Sequence, residues 1–302
     1  MKIIVLNQII VLFKNILYLC GEFKYHFMAI KNKNISFQAN ALLDKLIEEK
    51  RLCFSIDMAY KILSKSSTDA VKRLLCDMTK RGLLMRVKEG LYYIIPYEQD
   101  PQTFMPDWHL LSQFLVGDAG YYIGYFSALQ IHSLTTQPII KEQIVVDKQI
   151  KPFTLYVKEV PFQFIYHNEK HFFGNKKMWI DSFHRIQCSD LEKTVIDCLF
   201  KPEYGGGITE IAKAVYKIKE KIDYQKILQY VKRFDSQAVI KRLGFLLDFL
   251  EIKHFAIDEL QRLRTNSVVL LEPSYPRKGK TISRWAIQQN IDTASILSPI
   301  YS

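Results

Sequence analysis

Several clusters in this chain have residue types and spacings that chemistry uses. Asp190, Glu192 and Asp197 gather three carboxylates around Lys193 in SDLEKTVIDCLF. Such groups serve acid–base catalysis, or metal-dependent cleavage of nucleic acid when a glutamate and a lysine stand one residue apart. Glu192 and Lys193 are adjacent, so the stretch reads instead as a solvated helix start. Ser189 is its expected N-cap, Glu192 completes a capping box, and Leu191, Val195 and Leu199 are left for the core. Gly205, Gly206 and Gly207 resemble a phosphate cradle, but no Lys-Ser or Lys-Thr pair follows and the run succeeds a helix, which favours a flexible helix-opening turn. His167, His171, His184 and Cys188 are potential zinc ligands, yet only the two histidines four apart have pair spacing. No metal or cofactor is expected. Arg242 in IKRLGFLL reads equally as an interface or phosphate contact and as a helix-face cation.

The remaining cluster is one of charge. Lysine and arginine exceed aspartate and glutamate by 42 to 31, a formal net charge of +11, which favours a polyanionic partner, either nucleic acid or an acidic membrane surface. The excess is local. Residues 99–260 are neutral overall, whereas Lys65 to Lys88 holds seven basic residues against two acidic ones. A further basic group, Arg277, Lys278, Lys280 and Arg284, lies near the C-terminal end as a possible second surface.

The elements that must position these groups follow from length and patterning. At roughly 150 residues per domain the chain makes about two domains, and its 48% hydrophobic and 24% charged composition excludes collagen-like, low-complexity and largely disordered readings. Five cysteines (Cys20, Cys53, Cys76, Cys188, Cys198) without a CxxC pair point to a reducing, cytoplasmic setting.

Residues 1–35 read as an extension. The apolar run 3–20 is broken by Asn7, Gln8, Lys14 and Asn15, is short for a span of about 20 residues, and precedes no A-x-A cleavage pattern. A natural start near Met28, or a surface-lying amphipathic helix, fits better than an anchor, and no stable membrane association is expected.

Residues 36–98 have the pattern of a winged helix-turn-helix. Ala41, Leu42, Leu46 and Ile47 mark a first helix, and Ser55 caps a second in which Ile56, Ala59, Tyr60 and Leu63 share a side. Ser66 three residues before Asp69 predicts the cap of a third helix that ends at Gly82, with Val71, Leu74, Leu75 and Met78 as its apolar stripe. The opposite face holds Asp69, Lys72, Arg73, Cys76 and Lys80, with Ser66, Ser67 and Thr68 at its start, as in a helix that reads the major groove of double-stranded DNA. The runs LLMRV and LYYII, joined by Lys88, Glu89 and Gly90, form a hairpin that carries Arg86 and Lys88. A small packed domain with solvated lysines is the plain alternative.

After the linker YEQDPQTFMPD, residues 99–302 read as an α+β domain with strands first and a helical, bundle-like second half. A helix from Trp108 to Val116 opens it and another lies around Ser127 to His132. QIVVD, FTLYV and FQFIYH are strand-like, and four amphipathic segments follow from Asp190. Trp285 and Ile287 predict that part of the basic C-terminal segment packs rather than trailing as a disordered tail.

Five stretches together resemble the AbiEi family of antitoxin-type transcriptional regulators: KRGLLMRVKEGLYYIIP, YYIGYFSALQIHSLT, SDLEKTVIDCLFKPEYGGGI, VIKRLGFLLDFL and VVLLEPSYPRKGKTISRWAIQQN. The resemblance covers most of residues 40–292. It implies a winged domain that binds inverted repeats in its own promoter and represses it. It also implies a C-terminal domain that counters a cognate nucleotidyltransferase-like toxin in a phage-defence, abortive-infection pair, with no catalysis of its own. Carried over by position, DNA reading falls on Ser67, Thr68, Lys72 and Arg73 and on Arg86 and Lys88, while residues 1–27 have no counterpart. A transcription regulator without a toxin partner and a winged-helix nuclease are the alternatives.

Overall fold

The computed structural model describes residues 35–182 and 184–301, so the readings for the N-terminal extension lie outside the described residues. The chain divides into two units between Met105 and Pro106. Both helices and sheets build it, as a mixed α+β fold.

In the first unit, Ser36 caps α1 (Phe37–Glu48) by accepting from Ala39 N–H at 3.2 Å, and the helix buries Ala39, Leu42, Leu43 and Leu46. A short strand β1 (Cys53–Ser55) leads directly into α2 (Ile56–Ile62), whose cap is Ser55. Next come α3 (Thr68–Lys80), β2 (Leu84–Lys88) and β3 (Leu91–Ile94). The three strands form one antiparallel sheet in the order β1, β3, β2. Its side chains Phe54, Leu84 and Ile94 join the helix residues Leu42, Leu46, Val71, Leu75 and Met78 in a single core. Residues 97–105 belong to this unit. Pro101 packs so closely on Gly82, whose φ is +71°, that a β-carbon there would lie 2.4 Å from the proline ring, and Phe104 meets Tyr93.

The second unit opens with α4 (Trp108–Leu115), β4 (Tyr121–Ile123) and α5 (Tyr125–Ile131). Strands β5 (Glu142–Val146), β6 (Thr154–Val157), β7 (Val160–Tyr166), β8 (Asn175–Trp179) and β9 (Arg185–Ser189) complete a six-stranded sheet ordered β6-β7-β5-β4-β9-β8. It is mixed: β4 with β9 and β5 with β7 are parallel, and the other neighbours are antiparallel. Because side chains alternate along a strand, β4 sends Ile123 to one face, where it clusters with Ile186, Cys188 and Leu110 of α4. Tyr122 goes to the other face, among Val145, Ile165 and the helical half of the unit.

That half comprises α6 (Leu191–Phe200), α7 (Gly207–Ile218), α8 (Tyr224–Phe234), α9 (Gln237–Phe249) and α10 (Ala256–Leu263). A small sheet of β10 (Val269–Leu270), β12 (Ile287–Gln289) and β11 (Lys280–Ile282), followed by α11 (Thr293–Tyr301), completes the chain. The basic C-terminal segment is therefore structured. Trp285 is buried against α9, where a β-carbon on Gly244 would fall 2.0 Å from its ring, and its indole N–H donates to Asp248.

Candidate nucleic-acid interface

Helix α3 is positioned from both ends. The N-cap is Ser67, whose hydroxyl accepts from Ala70 N–H at 3.2 Å, and not Ser66 as the S-x-x-D spacing predicts. Ser66 is instead held by Gln38 of α1, whose amide donates to its hydroxyl at 3.1 Å. Either serine can cap; the contact with α1 occupies one and leaves the other. Val71, Leu75 and Met78 anchor the helix in the core. Thr68, Asp69, Lys72, Arg73, Cys76 and Lys80 are all exposed on the other side. The face thus presents helix-start amides and hydroxyls, which suit phosphate, next to the paired cations Lys72 and Arg73. Arg81, just past the helix, forms a surface pair with Asp77 at 3.5 Å.

The two hairpin cations differ in exposure. Arg86 is exposed and stands across the ladder from Tyr92, which stacks on Phe54 with ring centroids 5.9 Å apart. Lys88 is half-buried. Burial lowers its amine below the usual range and pushes the thiol of its neighbour Cys53 up to about 12. The hairpin turn is also tied down, since Ile56 N–H at the start of α2 donates to Gly90 O at 2.8 Å.

Of the second basic group, Arg277, Lys278 and Lys280 are exposed, while Arg284 pairs with Asp248 at 2.9 Å. Asn290 fixes the loop beneath them: its side-chain amide donates to the carbonyls of Glu272, Tyr275 and Pro276 at 2.7–3.2 Å.

The carboxylates of SDLEKTVIDCLF do not lie on a solvated helix start. All three are buried. Asp190, not Ser189, caps α6 by accepting from Lys193 N–H at 2.9 Å. Ser189 ends β9 with its hydroxyl on Thr194 at 2.7 Å. Glu192 takes Lys226 at 2.7 Å and Asp223 N–H at 3.0 Å. Lys193 and Asp197 form a fully buried ion pair one helical turn apart. Tyr122 joins it, donating to Asp197 at 2.9 Å and accepting from the Lys193 ammonium at 3.0 Å. His167 bridges Tyr122 and Tyr125 through its two ring nitrogens at 3.3 and 2.8 Å. Desolvation pushes the Lys193 amine down and the Asp197 carboxyl up, and their mutual contact opposes both. Burial, reinforced by the Lys193 charge, takes the His167 imidazole down to about 2. These five side chains are 2% exposed or less, so the network is interior and cross-links sheet to helix.

Other sequence candidates also prove structural. Arg242 is buried inside α9 and donates to the carbonyls of Leu199, Phe200 and Leu270, and burial lowers its guanidinium to about 10. Lys241 beside it is held by Thr265 and Ser267. At the glycine run, the start of α7 receives a carboxylate of the protein itself, Glu272, which accepts from Ile208 N–H at 2.8 Å. Of the four zinc-type residues His167 and His171 come together, with ring centroids 6.1 Å apart, but among the described residues no third ligand joins them. His171 stacks on Phe234, His184 binds Asp181, Cys188 is packed between sheet and helix, and His167 belongs to the network above.

No protein-family model matches the chain, and comparison with curated proteins gives no match. Among solved structures it is similar to the RV2827C protein of Mycobacterium tuberculosis, with a TM-score of 0.67 and 13% identity, covering 90% of this chain and 97% of that one. The likeness is one of fold.

Proposed function

We propose that this chain is a DNA-binding transcriptional regulator that represses its own promoter, and that it acts as the antitoxin to a nucleotidyltransferase-like toxin. In this reading the first unit is a winged helix-turn-helix. Its element order α-β-α-α-β-β, with sheet order β1-β3-β2, supports this. The observation that carries the reading is the outer face of α3, where Thr68, Lys72, Arg73 and Lys80 stand exposed over a buried Val71, Leu75 and Met78 stripe. Lys72 and Arg73 contact phosphate or base edges, Thr68 and the α3 amides contact phosphate, and Arg86 contacts the backbone from the hairpin. Lys88 has at most an indirect part. The loop of Arg277, Lys278 and Lys280 supplies a second phosphate surface. The antitoxin role rests on the AbiEi resemblance of the five stretches. The nuclease reading finds no support, because Glu192 is buried and engaged by Lys226.

The test is binding of the full chain to a duplex from upstream of its own gene, followed by fluorescence anisotropy across a salt series. Binding should weaken steeply with salt. Lys72→Ala with Arg73→Ala should lower affinity and make the log–log salt slope shallower by about 2. No binding at about 50 mM salt, or an unchanged slope in the double variant, refutes DNA reading by α3. Co-expression of the full chain with the product of the adjacent gene tests the antitoxin role: rescue of growth supports it, and continued arrest refutes it.

A further inference from the structure

The six-stranded sheet ends on two unlike edges, β8 and β6. Edge β8 carries exposed Lys176 and Lys177, the kind of side chain that discourages another chain from pairing there. Edge β6 has no charge between Thr154 and Val157, and it displays Phe153 and Tyr156 at 58% and 65% exposure. Its pairing with β7 fixes which main-chain groups are spare. Phe164 N–H donates to Phe153 O at 2.8 Å, and Pro161, which has no N–H, stands opposite Tyr156. Phe153, Leu155 and Val157 therefore turn their main-chain groups inward, and Thr154 and Tyr156 turn theirs out from the sheet.

We propose that this edge pairs with the same edge of a second copy of the chain, antiparallel, about a two-fold axis through Leu155. In this register Thr154 of each copy faces Tyr156 of the other, and every outward N–H and C=O of the two residues is used. Sliding by two residues sets Tyr156 against Pro152, which has no N–H, or Thr154 against Lys158 in the β6–β7 turn. The same register lays Phe153 beside Val157 of the second copy. The edge is thus complementary to itself in main-chain polarity and brings no like charges together between Thr154 and Val157. So short a strip buries less than the roughly 1,200 Å² of a stable interface, so the pair is weak in free solution and is best trapped covalently. It is independent of DNA reading by α3.

Leu155 would sit at a non-hydrogen-bonded position directly opposite itself, where Cα atoms about 4.5 Å apart suit a disulfide. The full chain is prepared with Cys76→Ser and Cys20→Ser to remove other cross-linking thiols; Cys53, Cys188 and Cys198 are buried. Adding Leu155→Cys should give a covalent dimer under mild oxidation, whereas Lys177→Cys on the opposite edge should not. Adding Tyr156→Pro, which removes an outward donor, should lower the dimer yield about tenfold through the loss of two symmetric hydrogen bonds. Thr154→Lys, a gentler change of the same edge, should lower it as well. Equal cross-linking at positions 155 and 177, or a yield unmoved by both edge substitutions in folded protein, overturns the proposal.

Discussion

Replacing Lys193 by methionine tests whether SDLEKTVIDCLF is a structural tie or a functional site. The substitution keeps the length of the side chain and removes its charge, leaving the fully buried Asp197 with the Tyr122 hydroxyl at 2.9 Å as its remaining strong partner. Removing one member of a buried pair costs about 3–5 kcal/mol, whereas replacing both with apolar groups is often close to neutral. Lys193→Met should therefore lower the urea midpoint by about 2 M, taking a slope of about 2 kcal/mol per molar. Lys193→Met with Asp197→Leu should recover most of the loss. The measurement can be made on the intact chain, because Trp108, Trp179 and Trp285 all lie in the second unit and their emission reports that unit alone. The single variant should also be relatively less impaired at pH 5 than at pH 8. Burial already raises the Asp197 carboxyl, and without Lys193 it would take up a proton more readily. A single variant within about 1 kcal/mol of the parent, or a double variant as unstable as the single, would refute the structural reading.

Two further outcomes follow from particular contacts. His167 is held neutral down to about 2, while an unfolded imidazole takes a proton near 6.5, so its contribution to stability is complete above pH 6.5 and declines as the pH falls. Between pH 7.5 and 4.5 the second unit should lose about 2–3 kcal/mol from this group, and His167→Gln should flatten that limb when tryptophan emission is followed in urea. Ser67→Ala should cost the first unit about 1 kcal/mol through loss of the α3 cap, and Ser66→Ala less than about 0.5 kcal/mol. Amide exchange at the start of α3 should rank the two in that order; the reverse order would return the cap to Ser66.

The helices were legible because their apolar stripes are local. The Val71, Leu75 and Met78 stripe lies on α3 as its spacing predicts, and α6 to α9 coincide with the four amphipathic segments from Asp190. Two strands that lack an apolar or alternating run of their own were not legible. β1 is three residues long and pairs with Tyr92 and its neighbours, while β8, reading NKKMW, has neither alternation nor an apolar run. Caps slipped by one residue at both α3 and α6, for a shared reason. Two adjacent oxygen-bearing side chains compete, and a side-chain contact decides between them: a tertiary one, Gln38 on Ser66, at α3, and a local one, Thr194 of the same helix on Ser189, at α6. The burial of Asp197, Lys193 and Arg242 was invisible for a related cause. Their partners Tyr122, Leu199 and Leu270 lie 28 to 75 residues away, so nothing local marks these charges as interior. On α3, by contrast, exposure follows from helical phase alone, which is why Lys72 and Arg73 could be placed before the fold was known.

The seating of Trp285 against Gly244 bears on the order in which the protein matures. Everything the first unit needs has been synthesised once Met105 is clear of the ribosome. The second unit lacks both the indole that fills its core and the Glu272 carboxylate that closes the start of α7 until the chain is nearly finished. At usual elongation rates that interval is on the order of ten seconds or more. During it a finished first unit is tethered to an unfinished second one, with apolar surface on α9 waiting for its last strand. Stalling or truncation before Trp285 should therefore yield a chain whose first unit is sound and whose remainder is handed to chaperones or proteases.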